Sequence, residues 1–177
     1  MKQMNTRSTL NTNALALIAL CNEYCEALEN VREASRDEFV ASMLRLLPRL
    51  YIAATDLRLD IPEDEDPYLE NAIEEEYYDS VRRNLENLFG ADDVYLEVFE
   101  EDMKYSDTPI SASISEGLAD IFQPLYNFIE MVKDAPEPVV AVGLVALKED
   151  FEGYWNRVLC NVLRAVNHVR YSSTSEV

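Results

Sequence analysis

At 177 residues the chain suits one domain with one hydrophobic core, and an apolar share of 48% argues against disorder throughout. Acids number 34 against 15 bases, a net charge of -19, which sets the chain against DNA, RNA and anionic membrane surfaces and in favour of cations or a basic protein partner. With 4 glycines, the chain is poor in the turns that a sheet protein needs.

The first helix is expected over Leu10–Glu29, where Leu10, Ala14, Leu17, Cys21, Tyr24 and Leu28 recur every three or four residues and form one apolar stripe. The run Ala14–Cys21 follows Lys2 and Arg7 as in a signal peptide. It is short, though, and it continues into Asn22, Glu23 and Tyr24 without a small-residue cleavage pattern, so it reads as an ordinary first helix. Ser35 and Glu38 form a capping box for the second helix, whose stripe is Phe39, Met43, Leu46, Leu47, Leu50, Ala54 and Leu57. Pro48 lies inside that stripe and must kink the helix or start a new one. The acidic segment Asp60–Pro67 is a linker by composition. Asp66 as N-cap and Pro67 at the first helical position predict a third helix running to Phe89, with Gly90 as its C-cap.

Val94–Phe99 alternates like a short strand but has no visible partner, so Asp92–Ser113 is expected as ordered loop. Ser113 and Glu116 cap a fourth helix carrying Leu118, Ile121, Phe122, Leu125, Phe128 and Ile129, with Pro124 inside it. A long fifth helix, about Val139–Val169, takes Val140, Leu144, Leu147, Phe151, Trp155, Val158, Val162, Val166 and Val169 inward. The fold expected is therefore all-α, an up-and-down bundle of about five helices with a long C-terminal one, spanning the chain except for about 8 frayed N-terminal and about 7 frayed C-terminal residues.

Cys21, Cys25 and Cys160 are too few and too scattered for a disulfide framework, and the first two sit on an apolar helix face where packing is their ordinary role. His168 is the single histidine, so the Glu-x-x-His pairs of di-metal bundles are missing, as are a phosphate-binding glycine loop and an EF-hand loop; neither a metal site nor a cofactor is expected. The charge, however, is uneven. Residues 60–107 hold 18 acids and 3 bases, while residues 1–59 hold 7 of each. Dense like charge of this kind needs cations, a basic partner or open solvent around it.

Two sites follow from these residues. The leading expectation is a non-enzymatic interaction surface for a basic protein, built from Asp92, Asp93, Tyr95, Glu97, Glu100 and Tyr78, where acids and aromatic faces together suit Lys and Arg. The alternative is a small-molecule or metal-dependent enzyme with a carboxylate site inside the bundle, formed by Asp120, Tyr126, Glu149 and Trp155, which requires those side chains to converge on a pocket containing a carboxylate of raised pKa.

The stretches YLEVFEED (95–102), SISEGLADIFQPL (113–125) and FEGYWNRVLCNVLRAVNH (151–168), with LLPRLYIAATDL (46–57), resemble a bacterial family of small acidic helical proteins catalogued as a domain of unknown function. The resemblance implies histidines flanking the tryptophan in other members, where this chain has Tyr154 and Val158, so that if the family uses a histidine site, this member is expected to lack it. The resemblance implies the all-helical fold and a bacterial cytoplasmic setting, and it implies no activity.

Overall fold

Asn11 opens the first helix by accepting the Ala14 N–H on its side-chain carbonyl at 2.9 Å. The computed structural model describes residues 10–97, 104, 105 and 108–172. In α1 (Thr12–Glu29) the expected stripe Ala14, Leu17, Cys21, Tyr24 and Leu28 is buried. A 3-10 turn at Val31–Glu33 reverses the chain into α2 (Arg36–Asp56), where Ser35 and Glu38 exchange both bonds of the capping box. The helix runs through Pro48 without a break, so it starts no new element there. The missing proline N–H leaves the Leu44 carbonyl without its helical donor.

The third helix departs from expectation. Asp66 and Pro67 do not open it, and the chain from Leu57 to Glu74 crosses the bundle as a non-helical strap before α3 (Glu75–Phe89) begins. The reason lies on another helix. The Asn127 side-chain carbonyl accepts the N–H groups of both Ala72 and Ile73 at 2.9 Å, taking the amides a helix there would have used, and Ile73 is buried beside it. The carboxylates of Glu75 and Glu76 fall in the first turn of α3, where the helix dipole favours them. At its other end the strap is tied down by Lys148 Nζ on the Leu57 carbonyl and by Asn11 Nδ2 on that of Arg58. Gly90 ends α3 at φ +56, as its position suggested.

A second departure follows. After a 3-10 turn at Gly90–Asp93, residues Val94–Leu96 form β1, and their partner is β2 (Ser111–Ser113), antiparallel, with Tyr95 opposite Ala112. The partner is a Ser-Ala-Ser segment with no strand signature, so local sequence could not point to it. This small ribbon leads directly into α4 (Ile114–Val132), which Ser113 caps by accepting the Glu116 N–H.

Helix α4 is the axis of the bundle, touching α1, α3 and both halves of the final helix. Its buried residues, from Ile114, Leu118, Ile121 and Phe122 to Leu125 and Phe128, cover most of its circumference and leave Glu116, Gln123 and Glu130 exposed in one narrow row. The close approach on one side is set by Gly117, where an added Cβ would lie 2.4 Å from Val162 Cγ2. On another side Tyr24 donates its hydroxyl to the Leu118 carbonyl at 2.7 Å.

The long C-terminal helix is present as one rod of 36 residues in three parts, α5 (Glu137–Asp150), a π-helical turn at Phe151–Trp155 and α6 (Asn156–Ser172). Leu147, Phe151, Trp155 and Leu159 are buried at a constant spacing of four. An α-helix with 3.6 residues per turn would swing such a row off the core by about 40° at each step. The wider turn absorbs the drift. One member of the expected stripe changes, with Leu159 inward and Val158 only half-buried, while Val162 and Val166 are buried as expected. Asn156 stabilises the turn, its side-chain amide donating to the carbonyls of Phe151 and Glu152 at 2.6 and 2.9 Å.

Replacing Asn127 with alanine leaves two strap amides without their acceptor, a loss of about 2–3 kcal/mol. Thermal denaturation should show a melting temperature lower by about 4–10 °C. Amide exchange should accelerate at Ala72 and Ile73 while α2 and α4 keep their protection.

Candidate functional site

Asp120, in the middle of α4, is half-buried and faces two tyrosines. Tyr78 of α3 donates to its Oδ1 at 2.5 Å, and Tyr154 of the π turn donates to its Oδ2 at 3.0 Å. Burial, joined by the Asp120 charge, pushes the Tyr154 hydroxyl up to about 12 and Tyr78 higher still, so both remain protonated donors throughout the physiological range. The carboxylate is thus oriented by two neutral donors.

Asp120 is also a wall shared by two hollows. The larger, about 520 Å³, lies between the strap (Pro67, Tyr68, Leu69), α4 (Asp120, Gln123, Asn127), α5 (Glu149, Asp150) and Tyr154. Its charged lining is three carboxylates, with no Lys, Arg or His. Burial raises the pKa of Asp150 from its ordinary value. The smaller hollow, about 220 Å³, lies on the other side of Asp120 and Tyr154 and is lined by Tyr95, Glu97, Arg157 and Asn161 among others. There Glu97 accepts from Tyr95 at 3.0 Å and from Asn161 at 2.7 Å. Among the described residues, no group of three or more His, Cys, Asp or Glu side chains is placed to hold a metal ion.

The two sets of residues expected from sequence therefore meet. Tyr78, Tyr95 and Glu97 from the surface set, and Asp120 and Glu149 from the pocket set, lie on or beside the same pair of hollows. The remaining members do not. Asp93 is only 4% exposed and spends both carboxylate oxygens on the backbone and hydroxyl of Ser115, each at 2.7 Å, so it pins the ribbon to α4 and presents nothing outward. Asp92 is exposed and paired with Arg36. Trp155 is fully buried with its ring 4.5 Å from that of Phe151, and its Nε1 has no hydrogen-bond partner. Tyr126 packs on Tyr77 and Phe122, away from the hollows. Glu100 lies outside the described residues. Sequence reasoning passed over Asp150, Tyr68 and Asn127. Asp150 and Tyr68 carry no local signal, and Asn127 could have been noticed as a polar residue on an otherwise apolar helix face.

What fold and site define is an all-helical acidic domain with a carboxylate-lined cleft beside its central helix. The chain belongs to the family described as Domain of unknown function (DUF5063), whose model matches residues 8–172. Among solved structures it is similar to the crystal structure of protein BF1032 from Bacteroides fragilis, a structural genomics target, at 27% identity and a TM-score of 0.78, over 97% of this chain and 100% of that one. No curated protein matches. No helix of the described residues is long and apolar enough to cross a membrane.

Because burial disfavours the charged form of Asp150, its ionisation opposes folding at neutral pH, and the opposition disappears as pH falls through its raised pKa. Asp150→Asn should therefore raise the melting temperature at neutral pH by on the order of 1–2 °C, and the gain should vanish in acid. Paired thermal melts across that pH range check the sign.

Proposed function

We propose that this protein is a non-enzymatic binding domain for a basic protein, and that the large cleft seats a cationic Lys or Arg side chain of that partner. The observation that carries this reading is the composition of the cleft wall, three carboxylates and two tyrosines with no base among them. A cation entering the cleft relieves the mutual repulsion of Asp120, Glu149 and Asp150 and restores the solvation that Asp150 has lost. Tyr68 and Tyr154 offer ring faces to the same charge and to its aliphatic stem. The volume suits one long side chain with its water. The net charge of -19 adds long-range attraction for a basic partner and repulsion of nucleic acids and anionic membranes. A bacterial cytoplasmic setting belongs to the same proposal, and buried, unpaired Cys21 and Cys25 are in keeping with it.

Titration with blocked lysine (N-acetyl-lysine amide), followed by NMR, tests the cleft directly. Saturable shifts are expected at Tyr68, Asp150 and Tyr154, weakening several-fold between low and physiological salt. The double variant E149Q/D150N should lose the response while keeping its fold by circular dichroism. Shifts scattered over the surface, or a response unchanged in the double variant, would sink the proposal.

A further inference from the structure

The cleft does not stand alone. On its strap side a third hollow of about 280 Å³ is lined by Glu65, Asp66, Tyr68, Pro138, Val139 and Val142. Tyr68 belongs to the walls of this hollow and of the central cleft. Asp120 and Tyr154 belong to the walls of the central cleft and of the hollow next to the ribbon. The central cleft thus adjoins both of the others, with a tyrosine at each divide. Each compartment carries carboxylates of its own, Glu65 and Asp66 in the first, Glu149 and Asp150 in the second, Glu97 and Glu116 in the third. Arg157, in the third, is the one base in the three linings.

From this juxtaposition we infer that the groove binds an extended peptide segment carrying several basic residues, one cationic side chain to each compartment. The inference rests on the cleft reading above and adds to it the form of the ligand. In an extended chain alternate side chains point the same way about 7 Å apart, so a succession of hollows is filled by residues at alternating positions, with the intervening ones outward. A helical ligand presents a continuous ridge and does not match separate compartments. The divides favour the same ligand, because tyrosine rings pack on the methylene stems of Lys and Arg while their charges reach the acids. Gln123, exposed on α4, brings an amide group to the wall of the central compartment, chemistry that pairs with a peptide backbone and has no counterpart in a polyamine.

The experiment compares three probes by calorimetry and NMR on the whole protein: a peptide of about ten residues with three lysines at alternating positions, the same peptide with only the central lysine, and spermidine. The three-lysine peptide should bind about tenfold or more tighter than the single-lysine peptide, since each added site acts on an already tethered ligand. The double variant E65Q/D66N and the variant E116Q, all at exposed positions, should each weaken the three-lysine peptide by about threefold and leave the single-lysine peptide unchanged. Equal affinity of the two peptides, or outer variants that change nothing, overturns the extended groove and leaves the central cleft standing. Spermidine binding as tightly as the three-lysine peptide overturns the peptide and makes the face a polyamine site. Failure of both peptides together with blocked lysine removes the cleft and the groove at once.

Discussion

The deep burial of α4 is the constraint from which the rest of the structure follows. A helix exposed only along the narrow row of Glu116, Gln123 and Glu130 must have its apolar side chains covered by neighbours, and its other polar side chains must find partners inside the protein. Leu118, Ile121, Phe122, Leu125 and Phe128 collect the surrounding helices. Ser115, Asp120 and Asn127 collect everything else. Ser115 captures Asp93 and with it the ribbon, Asp120 captures Tyr78 and Tyr154, and Asn127 captures the strap. Each of these polar bonds joins residues far apart in the chain. The hollows are the spaces left between α4 and the segments its polar residues hold at arm's length.

The electrostatics follow from the same arrangement. The acid-rich strap lies over the bundle because Asn127 holds one end and Lys148 the other. Its acids are thereby brought beside those of α4 and α5, which are distant in sequence. Against this crowding the protein offers few internal remedies. The described ion pairs are on the surface, such as Arg82 with Glu86 and Arg36 with Asp92, and none lies among the acids of the central cleft. Surface pairs of this kind contribute little to stability. Apolar burial and the α4 polar bonds hold the fold together, and the cleft keeps its negative potential.

Much of the scaffold could be read from the chain. Stripes at helical spacing located α1, α2 and α4. Local chemistry located the starts of α2 and α4, through Ser35 with Glu38 and Ser113 with Glu116, and the end of α3, through Gly90. The misreadings share a cause. The start of α3 was set by Asn127, more than fifty residues away, against a good local cap at Asp66. The strand Val94–Leu96 depended on a partner without strand character. For the site, periodicity could say that Asp120 and Glu149 stand on neighbouring helices, and both do line the cleft. It also put Trp155 on the inward stripe, where the residue is fully buried, but it could not say that the ring packs on Phe151 in the core and takes no part in the cleft. Nor could it say that Asp93 would be consumed by Ser115.

The winding change at Phe151–Trp155 has a consequence for descent as well as for packing. A turn closed five residues apart contains one residue more than an α-turn, so it is the form a helix takes when it has absorbed a single inserted residue. Gly153, with open space around it, shows that the extra length can bulge outward without displacing a neighbour. Relatives that lack the insertion would close this turn as plain α-helix, with α6 on the same face and the bulged side chains drawn in. Their residue at the place of Tyr154 would then leave Asp120, and the carboxylate would lose one of its two donors. A one-residue gap in an alignment at this point would thus mark a different cleft on the same fold, which makes the length of this helix a more telling character among relatives than the identity of any one side chain on it.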